Sequence, residues 1–494
     1  MKAANVDSAM HAAARGKPGG MFRTGLFVLP VNGAFLVHSP LNGIAALLNA
    51  SALSALRRRM AAGTPDPSLP AEPAQIDGLA DLLLCAPAKP PSLEGPLNPL
   101  FLGLLPTRRC NCNCVYCDFE AGEEAASEMS PAMAGDALTW YADFLRDAGY
   151  GHMEVHFFGG EPLINRDVVE TAVHRSRLLA DRYGLSLHLE VSTNGIIDRE
   201  YARFVGDYFH AVVLSLDGFR DIHDRHRPVR AGRGSFSPAL RTASLLSQSP
   251  TDLCLRCCVS TLNCDRLEEI AAWFCEEFQP SVINFEPLTN NAKARAAGLS
   301  APDPYVFAAR FAKARAVAAR YGIRAVYAAT EGEPTQTSFC PVGKDALIVS
   351  PDGRVSSCYL PRNAWVERGL DMDVGRLDMA RPDAYHLDAD RRAGLGGMHV
   401  DPGAVARLRG LVRDKPRCER CFCQWVCSGG CHVHHSYPGS SPAYEAFCIQ
   451  TRLLSACRLL EDMDLSHVAE TLLADTKAME ALALHPSDHF HPAG

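Results

Sequence analysis

Residues 107–122, TRRCNCNCVYCDFEAG, crowd four cysteines into eight positions directly after the apolar run LNPLFLGLLP. Cys110, Cys114 and Cys117 fall in a CxxxCxxC spacing with Tyr116 just before the last, while Cys112 lies outside that register and reads as a bystander. Thiolates packed this closely are suited to a zinc ion or an iron–sulfur cluster. The chain holds 19 cysteines, and its N-terminus, MKAANVDSAMHAAARGKPGG, lacks the apolar stretch of a secretion signal. A disulfide framework is therefore disfavoured, and metal ligation is the better use for the thiols. They also cluster, at 110–117, 254–275 and 418–448, where packing cysteines would scatter.

These side chains need a scaffold, and 494 residues are enough for two or three domains with a sizeable core. Lys and Arg number 49 against 56 Asp and Glu, a net charge of −7, so no global charge calls for nucleic acid or an anionic membrane. The sequence contains no run of 18 apolar residues, and a soluble cytoplasmic protein is the expectation. Residues 22–38 read as two strands around Asn32-Gly33, a pair suited to a tight hairpin turn, followed by an apolar helix from about Leu41 to Ala62. Linker-like GTPDPSLPAEPAQ and APAKPPSLEGPLNP then flank a helical piece containing LADLLL, so the first hundred residues form an accessory unit.

From about 98 to 300, the runs LFLGLLP, MEVHFFG, LSLHLEVST, AVVLSLD, LCLRCCVS and SVINFEP alternate with helix-length segments. This predicts βαβ units on a parallel sheet, an α/β partial (β/α)6 barrel. In parallel barrels the chemistry gathers at the carboxyl ends of the strands, and the polar motifs fall there: the cysteines, GGEP, STNG and SLDG follow successive strands. Taken singly, GGEP and STNG are good turns, SLDG carries almost no information and the cysteines suit zinc.

In this order and spacing, the motifs resemble those of the radical S-adenosylmethionine (SAM) enzymes over residues 98–300. The resemblance implies that Cys110, Cys114 and Cys117 hold a 4Fe-4S cluster with one iron left open for SAM. It places Tyr116 near the adenine and Gly159, Gly160, Glu161 and Pro162 at the methionine end. Ser192 and Asn194 would face the ribose or the methionyl carboxylate, and Asp217 the ribose. Reductive cleavage of SAM would yield a 5'-deoxyadenosyl radical that abstracts hydrogen from substrate.

Further on, CPVGKDALIVSPDGRVSSC runs from Cys340 to Cys358, and CERCFCQWVCSGGC supplies Cys418, Cys421, Cys427 and Cys431, with Cys448 beyond. This looks like the seven-cysteine SPASM domain, although CxxC with CxxxC would also fit a zinc ribbon. By that resemblance, Cys418, Cys421, Cys427 and Cys448 hold one auxiliary iron–sulfur cluster, and Cys340, Cys358 and Cys431 hold a second that is one ligand short. Cys423, a histidine of HVHH or another residue completes the second site, or an iron stays open to substrate, which is the favoured reading. The implied organisation is an accessory segment at 1–95, a radical SAM partial barrel at 96–300, a helical connector at 301–335, a SPASM domain at 336–460 and a C-terminal helix and tail at 461–494.

Two enzyme activities fit this layout. Sulfatase-maturing enzymes of the family commonly carry an aspartate after the cysteine matching Cys358, where Tyr359 stands here. The departure favours a maturase of ribosomally made peptides that installs a crosslink or inverts a stereocentre, with a precursor peptide and a flavodoxin- or ferredoxin-like electron donor as partners. The N-terminal segment, with its exposed hairpin edge, would handle the precursor. A non-catalytic iron–sulfur or zinc module for electron transfer or sensing explains the cysteines but not the motifs at the strand ends. Cys254, Cys257 and Cys258 lie in the fifth strand, where alternation puts Cys254 and Cys258 on one face and Cys257 on the other. They read as core packing, with an inward thiol as a hydrogen-atom donor the sharper alternative. SLDGFRDIHDRHRP, with His223, Arg225, His226 and Arg227, reads as a solvated loop or a contact to SAM or peptide, and ALALHPSDHFHPAG as a tail without metal.

Overall fold

The structure is a computed structural model and describes residues 2–4, 25–62, 74–85, 92, 94–119, 128–229, 234–289, 291–331, 335–378, 397–411, 415, 418, 420–435 and 444–485. The C-terminal tail from 486 lies outside the described residues.

An N-terminal sheet comprises β1 (Lys2–Ala4), β2 (Phe27–Val31), β3 (Ala34–Ser39) and β4 (Ile44–Leu48), in the order β1-β4-β3-β2. Asn32 and Gly33 form the hairpin turn, both with positive φ (50° and 80°), as their sequence predicts. The expected helix from Leu41 is corrected. Gly43, at φ 64°, ends a short turn over Pro40–Asn42, and Ile44–Leu48 then pairs with β3, so α1 (Ala50–Ala62) begins only afterwards. The buried Arg59 ties α1 to α2 (Ala74–Leu84) through an ion pair with Asp77 at 3.0 Å.

The barrel runs β5 (Leu102–Leu104), α3 (Pro131–Ala148), β6 (His152–Phe157), α4 (Arg166–Tyr183), β7 (Ser186–Thr193), α5 (Arg199–Tyr208), β8 (Ala211–Ser215), α6 (Arg220–His226), α7 (Phe236–Leu246), β9 (Asp252–Val259), α8 (Leu267–Phe278) and β10 (Val282–Pro287). All six predicted strands are present and pair in parallel. After α9 (Ala292–Ala296) and α10 (Pro304–Arg320), β11 (Arg324–Val326) extends the sheet beyond β10. At the other edge β12 (Leu347–Val349) pairs in parallel with β5, and β13 (Arg354–Ser356), β14 (Asp373–Leu377) and β15 (Met398–Val400) continue antiparallel.

The strands alternate as their sequences require. On β9, Leu253, Leu255, Cys257 and Val259 are buried in the core shared with the helices, so Cys254, Arg256 and Cys258 face the barrel lumen. The same parity places Glu154 and His156, Glu190 and Ser192, and Asn284 and Glu286 toward the lumen.

The remaining helices are α11 (Arg362–Val366), α12 (Pro402–Arg409), α13 (Gln424–Cys427), α14 (Ala446–Glu461), α15 (Ser466–Ala474) and α16 (Thr476–Ala483). The N-terminal sheet packs α1 and α2 on one face, through Val28, Val37 and Leu48. On the other, Phe27, Leu29, Val31 and Leu36 join the main core, with β2 lying on α16. Among the described residues, no helix is long and apolar enough to cross a membrane.

Candidate cofactor site

The CxxxCxxC loop leaves β5 and is tied down by the ends of three other strands. Asn111 Nδ2 donates to the Ile196 carbonyl beyond β7 at 3.0 Å. The amides of Asn113 and Val115 donate to the carbonyls of Pro228 and His226 after β8, at 2.7 and 2.9 Å. Asn291 Nδ2, beyond β10, donates to the Tyr116 carbonyl at 2.9 Å and to Asp118 Oδ1 at 2.5 Å. The cysteine triplet is thus held rigidly although it has no regular secondary structure.

Cys110, Cys114 and Cys117 are each partly exposed. The Cys112 amide and Asn194 Nδ2 donate to Cys110 Sγ at 3.4 and 3.6 Å. Hydrogen bonds of this kind stabilise thiolate ligands. The charges of Cys114 and Cys110 add to burial in raising the Cys117 pKa, and a bond from the Cys112 thiol lowers Cys114 to about 7. Three neighbouring thiols, with two N–H donors aimed at the Cys110 sulfur, form a donor set that fits a cluster. Cys112 is no distant bystander: it is buried against its neighbours, and hydrogen bonds to Cys110 and Cys114 hold its proton on.

GGEP follows β6, and its glycines have a steric cause. A Cβ on Gly160 would lie 2.2 Å from the Arg109 carbonyl oxygen, and one on Gly159, where φ is 153°, 2.5 Å from that of Thr107. The motif therefore lets the chain lie directly on the stem of the cysteine loop, with the Glu161 amide donating to the Arg109 carbonyl at 2.8 Å. Pro162 opens the buried 3-10 turn Pro162–Ile164 that follows. The Glu161 carboxylate turns inward. It accepts from the Asn194 amide at 2.7 Å, Thr193 Oγ1 at 2.8 Å and the Leu163 amide at 3.2 Å, while burial pushes its pKa up to about 7. Glu161 thereby locks STNG to GGEP. Ser192 faces the lumen at the end of β7, and Asn194 Nδ2 also reaches Asn111 Oδ1 at 2.8 Å.

Asp217 is fully buried. Its Oδ2 accepts from Tyr116 OH at 2.6 Å, Arg227 Nε at 2.8 Å and His226 Nδ1 at 3.2 Å, and its Oδ1 from the Cys258 amide at 3.0 Å. Burial opposes its charge, but Arg227 and His226 outweigh that and hold the carboxyl well below the usual carboxylate range. Enclosed in this way it anchors the Tyr116 ring. The solvated-loop reading of SLDGFRDIHDRHRP is corrected, because His223, His226 and Arg227 are buried around α6. The i, i+3 spacing of the two histidines was the available signal for a helix. Sequence reasoning also missed Asn111 and Asn291, which carry no motif of their own.

In the C-terminal region, Cys418, Cys421, Cys427 and Cys448 line a single cavity with Cys423 and Arg452. Arg452 Nη1 donates to Cys421 Sγ at 3.4 Å, and a bond from the Cys423 thiol lowers Cys421 to about 6. Cys340, Cys358 and Cys431 form a second group, in which the charges of Cys340 and Cys431 reinforce burial in raising the Cys358 pKa. The buried Lys415 lies between the groups, donating to the Gly429 and Gly430 carbonyls at 2.6 and 3.2 Å. His434 touches the Cys431 sulfur and ion-pairs with Asp118 at 3.5 Å, linking this region to the residue after Cys117. Tyr359 packs with Cys117 and Phe158, and a Cβ on Gly103 would come within 3.2 Å of its hydroxyl. Among the described residues, no three His, Cys, Asp or Glu side chains are placed to share a single metal ion.

The parallel barrel thus gathers three partly exposed cysteines at the end of its first strand. Residues 104–273 match the model of the Radical SAM superfamily, so the chain carries a Radical SAM domain and is an enzyme. It is 26% identical over 353 residues, 67% of this chain and 79% of the relative, to a serine-type anaerobic sulfatase-maturating enzyme of Klebsiella aerogenes. It is 27% identical over 179 residues to a PqqA peptide cyclase of Gluconobacter oxydans, covering 36% of this chain and 46% of the relative. The fold matches a solved structure of anSMEcpe with bound AdoMet and Kp18Cys peptide at a TM-score of 0.55 and 19% identity, over 74% of this chain and 99% of that one. Its homologues therefore include both sulfatase-maturating and peptide-modifying enzymes.

Proposed function

We propose that the protein is a radical SAM maturase that installs a crosslink or inverts a stereocentre in a ribosomally made peptide. Cys110, Cys114 and Cys117 would hold the SAM-binding 4Fe-4S cluster, and the observation that carries this is their loop, tied to the ends of β7, β8 and β10. When bound, that cluster supplies one electron for cleavage of SAM to methionine and a hydrogen-abstracting adenosyl radical.

The chain's own residues position and shield that chemistry. Asp217 holds the Tyr116 ring at the mouth, Glu161 fixes the Asn194 backbone beside Cys110, and Gly159 and Gly160 keep the SAM-facing turn against the cysteine stem. Cys418, Cys421, Cys427 and Cys448 would hold one auxiliary cluster, which their common cavity supports. Cys340, Cys358 and Cys431 would hold a second with its fourth position open to substrate. Cys423 lines the other cavity, which supports leaving it out of this second set.

A peptide substrate is supported by the PqqA peptide cyclase among the relatives and by the peptide on the same fold in anSMEcpe. The electron donor would be flavodoxin- or ferredoxin-like. The N-terminal sheet serves first as a cap: β2 is its open edge, but its buried face is part of the main core, and Pro30 removes one backbone donor from that edge.

Sulfatase maturation is the second reading, favoured by the alignment over 79% of the Klebsiella enzyme. Incubating iron-loaded protein, SAM and dithionite with candidate peptides separates the two. An aldehyde trapped by a hydrazide reagent assigns sulfatase maturation. Loss of two hydrogens without an aldehyde assigns crosslinking, and unchanged mass with deuterium uptake from solvent assigns epimerisation.

A further inference from the structure

A cavity of about 110 Å³ lies between the N-terminal sheet and the C-terminal region, and none of the SAM-side motif residues lines it. Its walls come from three segments distant in sequence: His38 and Pro40 at the end of β3, Phe422 and Cys423 just before α13, and Ser455 and Leu459 on α14, all of them buried. Half-buried Arg458 and exposed Asp462 mark its mouth. Cys423 also lines the cavity of Cys418, Cys421, Cys427 and Cys448, so the two cavities share a wall.

The enclosure is largely apolar, which makes its polar groups informative. His38 Nδ1 donates to the Ile44 carbonyl at 2.8 Å, which fixes the tautomer and leaves Nε2 as a lone-pair acceptor. Burial lowers the His38 pKa to about 4, so the ring stays neutral at any working pH. His38 is only 6% exposed, and with Nδ1 turned to the backbone, Nε2 is the ring edge left for the cavity. No described residue donates to it. Ser455 Oγ, on α14, is enclosed and likewise has no partner. An acceptor left unpaired in an apolar enclosure costs free energy until a guest supplies the donor.

The walls also suit an aromatic guest. Phe422 meets the His38 ring edge to face, with centroids 6.5 Å apart, and the Arg458 guanidinium is held at the mouth by the Thr330 carbonyl and by Glu331 at 3.7 Å. Ring edges and a fixed cation both attract a ring face. An apolar cavity of about 150 Å³ takes benzene, so this one, open at its mouth, is sized for a single six-membered ring.

We propose that the cavity binds a phenol ring, its hydroxyl donating to His38 Nε2 and its body packed against Phe422 and Leu459. The ring arrives either as a tyrosine side chain of a peptide or as a free phenol, and the experiment separates the two. The site goes beyond the maturase reading and does not depend on it.

Isothermal titration calorimetry on the full-length, iron-loaded protein without SAM would compare p-cresol with p-xylene, which replaces the hydroxyl by a methyl. The phenol should bind at least ~10-fold more tightly, because a site built around an acceptor rejects the analogue that lacks the donor. His38→Phe should abolish that preference. Leu459→Phe, which fills the cavity and leaves His38 in place, should weaken p-cresol at least ~10-fold with iron content unchanged. Tighter binding of N-acetyl-tyrosine N-methylamide than of p-cresol assigns the ring to a peptide side chain, and weaker binding assigns it to a free phenol. No p-cresol binding, as in a cavity that holds only water, equal binding of p-cresol and p-xylene, or a preference that survives in His38→Phe would each overturn the site. Should His38→Phe fail to fold, undiminished p-cresol binding by Leu459→Phe would overturn it alone. SAM cleavage plays no part in these titrations, so their failure leaves the maturase reading untouched.

Discussion

Asp217→Asn tests the buried group that anchors Tyr116, Arg227 and His226. The carboxylate accepts four hydrogen bonds, from Arg227, Tyr116, His226 and the Cys258 amide, and Arg227 is itself only 8% exposed. Asparagine leaves one carbonyl oxygen and turns an NH2 toward donors, so the guanidinium becomes a buried, unpaired charge. Breaking a buried pair from one side costs about 3–5 kcal/mol. For a cooperative unit of barrel size, each kcal/mol moves the midpoint by about 2–4 °C, so the transition should fall by about 6–20 °C. Differential scanning calorimetry of iron-loaded protein would measure it. Because the folded carboxyl sits well below 3.8, its contribution is fully present above that value and is lost only as pH falls through the depressed one. The deficit should therefore be constant between pH 5 and 9. In the double variant Asp217→Asn/Arg227→Gln, part of the loss should return, since no charge is left unpaired. A midpoint within 2 °C of wild type for Asp217→Asn alone would refute the hub.

The remaining expectations concern the same site and its neighbours. Gly160→Ala puts a methyl 2.2 Å from a backbone oxygen, so the cysteine loop must move, and iron measured by mass spectrometry should fall by one cluster's worth per chain. Burial holds the Glu161 proton up to about pH 7, above the usual 4.5, so its contribution to stability is full below 4.5 and is lost as pH rises through 7, by roughly 3 kcal/mol. Glu161→Gln should flatten that decline in thermal scans from pH 5 to 8, and an unchanged slope would contradict the assignment. Cys418→Ala with Cys421→Ala should abolish peptide modification before SAM cleavage and lower stability, because metal binding and folding are coupled. Equal loss of both activities in a folded, partly iron-loaded variant would place the auxiliary site in the cleavage step.

Much of this architecture is legible in the chain because each barrel strand is a short apolar run followed by a polar motif, and such runs have few alternatives once they alternate with helix-length segments. Ile44–Leu48 is not legible in that way: IAALL runs on into ASALSALRRRM, and only pairing with β3 makes it a strand. The cysteine triplet and its spacing can be read directly, whereas the reason for GGEP cannot, since the carbonyls that exclude a Cβ belong to Thr107 and Arg109, some fifty residues upstream. Burial of His223, His226 and Arg227 was hidden for a related physical cause. A polar segment reads as solvated until a partner such as Asp217 is known to compensate its charge.

The central claim is that Cys110, Cys114 and Cys117 hold the cluster that cleaves SAM. Its most direct test is 5'-deoxyadenosine formation by anaerobically iron-loaded protein, reduced with dithionite in the presence of SAM. The wild-type protein should be brown and form 5'-deoxyadenosine and methionine in equal amounts, and the triple Cys→Ala variant should form neither while keeping the iron of the C-terminal region. Product formation by the triple variant, or a colourless wild-type protein that holds only zinc and leaves SAM intact, would contradict the account.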